Sequence, residues 1–591
     1  MLKKILSVIL ILCLLANLSA CAKPEETPTV AENPNEEFAA FVTRVLVYEL
    51  PSDNFYYNLY FIEPQNYGIE TEPYVLDYIS KEEWDASVAE AKELLAELDG
   101  FETNTLDATQ QVEAIRIRHD LEYIIAMEDY YYLDVSYLGA SMGMAIMLPT
   151  DLENYEFFSK QDIDWYLSIL EQAPAMFQTY ADHEEERIKN GVGFNSDNLN
   201  RSIEQAEKTA AITDYFLVKD FQEKIDALDY LSAEEKQAYK DQQEEIIYNT
   251  FLPGYQALAD RLKMIDASAM DGLTLADKPQ GIAYYDLLIK HKAGIDMTTE
   301  ELKAFYEAQM SNAILQIQQV AMSDPDILVK ANEGTLFIEP MLEVTSVEEA
   351  EEFFKTAITE DFPAIEEVAY QISKVDESNS DMGAAAYYMP GRYDAPKSSP
   401  EQIFINGDFA GESINVYAHE GYPGHLYQFV YVKQNGISPY LYLSQDNAYV
   451  EGWGTYVMNY VVKYSNYTEN EKIVYFYNMA YSQALVGLMD IMVNVEGYSR
   501  DELYDFLVAN VNPELTREYS DETYNELEEV PVQMHYYAAG FLMVLDMREE
   551  IREGLGDKYS DLLFHTFFLD HCGYSLSDLK ELVPAFIEAN K

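Results

Sequence analysis

The chain has 591 residues, with 38 Lys or Arg against 105 Asp or Glu, and a formal net charge of −67. So acidic a surface repels polyanions and excludes nucleic acid as a partner. Hydrophobic residues make up 48% and aromatics 13%, which is material for a packed core and not the composition of a disordered chain.

The first elements in chain order are targeting signals. Lys3 and Lys4 precede an apolar run from Ile5 to Leu15, and Leu18-Ser19-Ala20-Cys21 then resembles a bacterial lipobox. We expect residues 1–20 to be a signal peptide and Cys21 to carry lipid. The apolar run is too short to span a membrane. Residues 21–36, with Pro24, Pro28 and Pro34, read as a flexible tether. The mature body would then stand in water on the outer face of the cytoplasmic membrane, held through Cys21 alone. Of the cysteines only Cys572 is left, so the mature chain forms no internal disulfide, and Cys572 reads as a core residue.

Helical signals dominate from residue 37 onward. Ser80 with Glu83 is a capping-box pattern, followed by Trp84, Val88, Ala91, Leu95 and Leu98 at helical spacing, with Gly100 at the stop. The signature returns at Ser232 with Glu235, Thr298 with Glu301, and Ser346 with Glu349. Strand-like material is confined to Ala385–Met389 and Gln402–Asn406. Pro253-Gly254 and Pro390-Gly391 break helices without marking a boundary. The expectation is a mainly α protein, one large helical domain over 37–591, with its chemistry within 380–545.

That chemistry centres on His419-Glu420-Gly421-Tyr422-Pro423-Gly424-His425 and on Glu451. Two imidazoles and a carboxylate are a ligand set for catalytic zinc, and a carboxylate beside the first imidazole is where a metallopeptidase keeps its base. Six steps along an ideal helix turn through about 600°, which would put the two imidazoles on different faces. Pro423-Gly424 could relieve this by a local bulge. On the residues alone, a metal site and a pair of core or surface histidines both stand open. His119, His183, His291, His565 and His571 have no partner at ligand spacing, and His565 and His571 read as packing residues. Arg392 and Tyr393 fall in a loop, where the arginine could receive a peptide carboxylate or form a surface ion pair.

His419-Glu420-x-x-Pro423-Gly424-His425 with Gln428, Glu451-Gly452-Trp453, the run Pro531 to Gly540, and Phe564-His565 with Gly573, Leu576 and Leu579 together resemble the motifs of domain of unknown function 885. This bacterial family is rich in lipoproteins, and the resemblance runs from about residue 37 to the C-terminus. It implies a gluzincin-like metallopeptidase fold with a deep cleft and a small β element beside the active-site helix. It also implies one Zn2+ per chain on His419, His425 and Glu451, with Glu420 as the catalytic base. Tyr537, at the position of the family tyrosine, becomes the first choice to stabilise the oxyanion, with His535 and Tyr536 as alternatives. Gln533 could bind the peptide backbone. In gluzincin-like enzymes a strand placed like Gln402–Asn406 pairs with bound peptide, which makes Asn406 a contact. The carboxylate that often follows the metal-binding Glu by four residues is here Thr455, so a partner for the ligand histidines is sought among Asn415, Tyr417, Asp446 and Asn447. The expected activity is zinc-dependent hydrolysis of short peptides. The alternatives are a non-catalytic ligand-binding lipoprotein on the same scaffold, which the retained Glu420 disfavours, and a zinc amidase acting on cell-wall peptides.

Overall fold

A computed structural model describes residues 34–591 other than 50–53, 72–74, 77–78, 135–136, 141–142, 334, 338–339 and 377–384. The signal peptide, Cys21 and the tether up to residue 33 lie outside the described residues. A helix over Pro34–Glu49 takes in the last three residues assigned to that tether.

Each of the four capping signatures opens a helix. Ser80 caps α1 (Lys81–Leu98), Ser232 caps α2 (Ala233–Ile246) and Thr298 caps α3 (Thr299–Ser323), all as reciprocal capping boxes. Ser346 caps α4 (Val347–Ala357) on one side only. There the Glu349 carboxylate turns to the amide and hydroxyl of Thr345, at 2.8 and 2.9 Å.

The described residues are mainly helical, with one three-stranded sheet of β1 (Tyr370–Lys374), β2 (Ala386–Met389) and β3 (Glu401–Ile405). The strand order is β1-β3-β2. β3 runs parallel to β1, with Ile372 opposite Ile403, and antiparallel to β2, with Tyr388 opposite Ile403. Ala386, Tyr388, Ile403 and Ile405 are buried on one face of this sheet. The other face, with Gln402, Phe404 and Met389, borders a hollow of about 850 Å³ whose far wall includes Glu153, Asp220 and Lys224.

After the sheet come α5 (Ile414–Glu420), α6 (His425–Gln434), α7 (Asn447–Tyr460), α8 (Glu469–Asn494), α9 (Gln533–Leu555) and α10 (Asp561–Asp570). They enclose a large apolar core that includes Tyr417, Leu426, Trp453, Phe541 and Phe568. A second large core lies within residues 55–270, around the helix Lys160–Lys189 and its buried Ile163, Tyr166, Leu170 and Phe177. α7 and α9 cross at two glycines. A Cβ on Gly452 would lie 2.6 Å from the Gly540 carbonyl carbon, and one on Gly540 would lie 2.6 Å from the Ala448 oxygen. Only hydrogen at both positions permits so close an approach. No described helix is long and apolar enough to cross a membrane.

Candidate metal centre

The bulge expected at Pro423-Gly424 is a full break. α5 stops at Glu420, the chain passes through a cis Tyr422–Pro423 peptide, and α6 starts at His425. Two contacts from outside the motif and one within it hold this connection. The Trp453 indole donates to the Pro423 carbonyl at 3.0 Å, and the fully buried Glu351 accepts from the Tyr422 amide at 2.8 Å. Gly424 packs directly on the end of α5, where a Cβ would fall 1.8 Å from the His419 carbonyl oxygen. The break does what a continuous helix could not. His419 in the last turn of α5 and His425 at the head of α6 bring their rings to 4.5 Å between centroids, at 89°.

Glu451 of α7 meets them both. Its Oε2 lies 3.4 Å from His419 Nε2 and 3.4 Å from His425 Nε2. That is longer than a charge-assisted hydrogen bond, which runs to about 2.9 Å. Two atoms bound at about 2.0–2.1 Å to one tetrahedral ion lie about 3.3–3.4 Å apart, so the spacing is that of ligands. Gly454, one turn along α7, makes room for the imidazoles: a Cβ there would sit 2.6 Å from His419 Cε1 and 2.9 Å from His425 Cε1. Glu451 Oε2 has no hydrogen-bond partner, nor has Nδ1 of either histidine. Burial alone would raise the Glu451 carboxyl, yet the facing His425 and His419 hold it well below the usual carboxylate range. Burial likewise opposes charge on His425, but Glu451 and Glu420 carry its pKa up to about 9.

Glu420 belongs to the same cluster, within 4.8 Å of the two histidines. Its position is that of a neighbour and not a third ligand. Oε1 stands 3.9 Å from His419 Nε2, and Oε2 accepts the Tyr388 amide on the outer edge of β2 at 2.9 Å. Burial raises its pKa, and Glu451 adds to the rise. Two nitrogens and one carboxylate oxygen, with a second carboxylate beside them, fit a zinc-type ion.

The three neighbouring candidates on α9 separate by direction. Tyr537 faces the centre, its ring 6.4 Å from that of His419, and burial together with Glu451 keeps its hydroxyl protonated. His535 turns away, which corrects its assignment. It is fully buried, with Nδ1 at 2.7 Å from the Tyr306 hydroxyl and Nε2 at 2.7 Å from that of Tyr285, and no nitrogen is left for a substrate. Tyr536 is buried on the side of Asp446 and Asp490. Gln533, at the start of α9 and four residues before Tyr537, shares its face and is partly exposed.

The loop residues have structural partners. Arg392 donates to the Asn58 carbonyl at 2.6 Å and the Asn154 carbonyl at 3.0 Å, with its guanidinium over Phe158. It ties the N-terminal helices to the sheet and lines the hollow beside it. The Tyr393 hydroxyl donates to the Ile437 carbonyl at 2.9 Å, and its ring packs on Tyr67 and Tyr442. The strand expected to take up peptide is the central one: β3 pairs on both sides, and the Asn406 amide donates to the Ala385 carbonyl at 2.9 Å. The outer edge of β2 is the one beside Glu420.

Of the proposed orienting groups, Asp446 caps α7 and pairs with Arg116 at 3.5 Å, and the Tyr417 hydroxyl takes the Ala410 amide. His565 is a satisfied packing residue, bonded to the Asp361 carbonyl and the Tyr456 hydroxyl and stacked on Phe362. Burial lifts the Cys572 thiol to about 12, far from a reactive thiolate.

A large helical protein with a buried histidine–carboxylate centre is the class that this fold and site define. Within it, the chain belongs to the family described as bacterial protein of unknown function (DUF885), matched over residues 65–583. Two solved structures share the fold. A candidate lipoprotein of Colwellia psychrerythraea is 18% identical with a TM-score of 0.78, over 94% of this chain and 100% of its own. One of unknown function from Shewanella oneidensis is 16% identical with a TM-score of 0.61, over 93% of this chain and 99% of its own. No curated protein matches the sequence.

Proposed function

We propose that the chain is a zinc-dependent peptidase acting on short peptides outside the bacterial membrane, tethered through a lipid on Cys21. The observation that carries the reading is Glu451 Oε2 at 3.4 Å from both His419 Nε2 and His425 Nε2, with a second carboxylate, Glu420, beside them. His419, His425 and Glu451 would hold the zinc, which would supply Lewis acidity and acidify a water at the site. Glu420 is the base. The Tyr388 amide fixes one of its oxygens and leaves the other towards His419, and its raised pKa makes it a better proton acceptor than an exposed glutamate. The same carboxyl then hands the proton to the leaving nitrogen. Tyr537, kept protonated, donates to the oxyanion as it forms. The lipobox-like Leu18-Ser19-Ala20-Cys21 supports the tether, as do the two structural relatives described as candidate lipoproteins.

The test is the zinc content of the soluble chain beginning at residue 22. About one zinc per chain is expected for wild type, and none for His419→Ala. Glu420→Gln should keep the metal and lose peptide hydrolysis. A wild-type chain that takes up no zinc when zinc is offered would end this reading.

A further inference from the structure

Gln428 follows His425 by one turn of α6 and is completely buried. Its Nε2 and Oε1, together with Nδ1 of His425, are three buried polar atoms that no other group satisfies. Leaving such groups unpaired costs about 1–3 kcal/mol each, so groups one helical turn apart are natural partners. Gln428 shares a face of α6 with His425, and α6 packs on α7, which carries the fully buried Tyr449 with the Gln428 amide among its polar neighbours.

The direction of the bonds follows from counting protons. The Tyr449 hydroxyl donates to the Phe568 carbonyl at 2.9 Å, in the last turn of α10, where the same oxygen also accepts the His571 amide at 3.2 Å. The two rings stack at 4.6 Å, only 3° from parallel, which holds the phenol in place. A phenol has one proton, so the Tyr449 oxygen can only accept from its other neighbour. Gln428 must therefore turn its NH2 towards Tyr449 and its carbonyl towards His425. A carbonyl cannot donate, so His425 must do so, from Nδ1. In the neutral ring that metal binding requires, this leaves Nε2 with a bare lone pair facing Glu451 and His419.

We propose that Gln428 is a positioning residue that sets the Nδ1–H tautomer of His425, with Tyr449 and the Phe568 carbonyl fixing which way its amide points. This rests on the zinc reading above. It makes α10, more than a hundred residues after the motif, part of the support of the metal site.

The experiment measures the zinc dissociation constant by competition with a chelator, on the soluble chain and its Gln428→Leu, Gln428→Glu and Tyr449→Phe variants. Gln428→Leu should weaken zinc binding by roughly 10- to 100-fold, the usual effect of losing such a partner. Gln428→Glu, which still accepts from Nδ1, should recover most of that loss. Tyr449→Phe, which frees the amide to flip, should fall between wild type and Gln428→Leu. A folded Gln428→Leu chain that binds zinc as tightly as wild type overturns the proposal and leaves the peptidase reading standing. A Gln428→Glu chain no better than Gln428→Leu also overturns it, since general packing would explain both. Should Gln428→Leu not fold, the Glu and Tyr449→Phe variants decide by the same criteria. A wild type without zinc ends both readings together.

Discussion

Tyr537 and His535 lie two positions apart on α9, and a helix turns about 200° over that step. One faces the histidine–carboxylate centre, and the other is locked between Tyr285 and Tyr306. Tyr537→Phe should therefore leave zinc content unchanged and lower kcat by about 10²–10³-fold, the usual loss for one oxyanion donor. Peptide kinetics with metal analysis checks this, and a fall in zinc content equal to the fall in rate would show that the tyrosine only supports the site. At this scale, residue type was legible in the sequence and direction was not. His419, Glu420, His425 and Glu451 come together in space from types and motif alone. The structural partners of Arg392, Asn58 and Asn154, could not be read locally because they are more than two hundred residues upstream. Glu351, on α4, carried no signal that it would brace the Tyr422 amide.

The motif glycines act at the level of helices. Gly452 follows Glu451 and Gly540 follows Tyr537 by one turn, so the crossing of α7 and α9 at these two positions sets how near the tyrosine comes to the Glu451 carboxylate. Gly540→Ala would place a Cβ 2.8 Å from Gly452 Cα and 2.6 Å from the Ala448 oxygen, backbone that has little room to give. The expected cost is about 1–3 kcal/mol of stability from overpacking, with weaker zinc binding as the helices part. Thermal unfolding and zinc titration of the variant check this, and an unchanged melting temperature would mean the helices part without strain. Local signals placed the helix starts well, since a capping box is written in four consecutive residues. The sheet was harder. β1 is a five-residue strand with no alternation strong enough to announce it, and without it β3 reads as an edge instead of a centre. The break at residues 421–424 was visible as Pro-Gly, but its depth depends on Trp453 and Glu351, which no local window contains.

Across the whole molecule, an excess of acid over base in a chain with two buried cores makes stability depend on pH in a definable way. Burial raises Asp151 and Glu153, the latter on the wall of the hollow beside the sheet, to about 7, and Asp446 to about 6. Each of these holds its proton more tightly folded than unfolded. The stability they contribute is fully present below the ordinary carboxylate range near pH 4, and it is lost as pH rises through about 6 to 7. Two buried histidines act oppositely. Burial lowers His565 to about 3 and His291 to about 4, so the stability of their neutral forms is present above about 6.5 and lost as pH falls below it. The two effects compete below about pH 6.5, but above it these two histidines are neutral in both states and no longer oppose the carboxyls. The chain should therefore lose stability between about pH 6.5 and 8. Added salt should soften that loss by screening the negative surface over a Debye length of about 10 Å at 0.1 M. Calorimetric melting at the two pH values checks the direction, and Asp151→Asn with Glu153→Gln isolates the cause. The double variant should melt higher than wild type at pH 8, with a smaller difference at pH 6.5. Equal pH dependence in wild type and double variant would place the sensitivity elsewhere in the acidic surface.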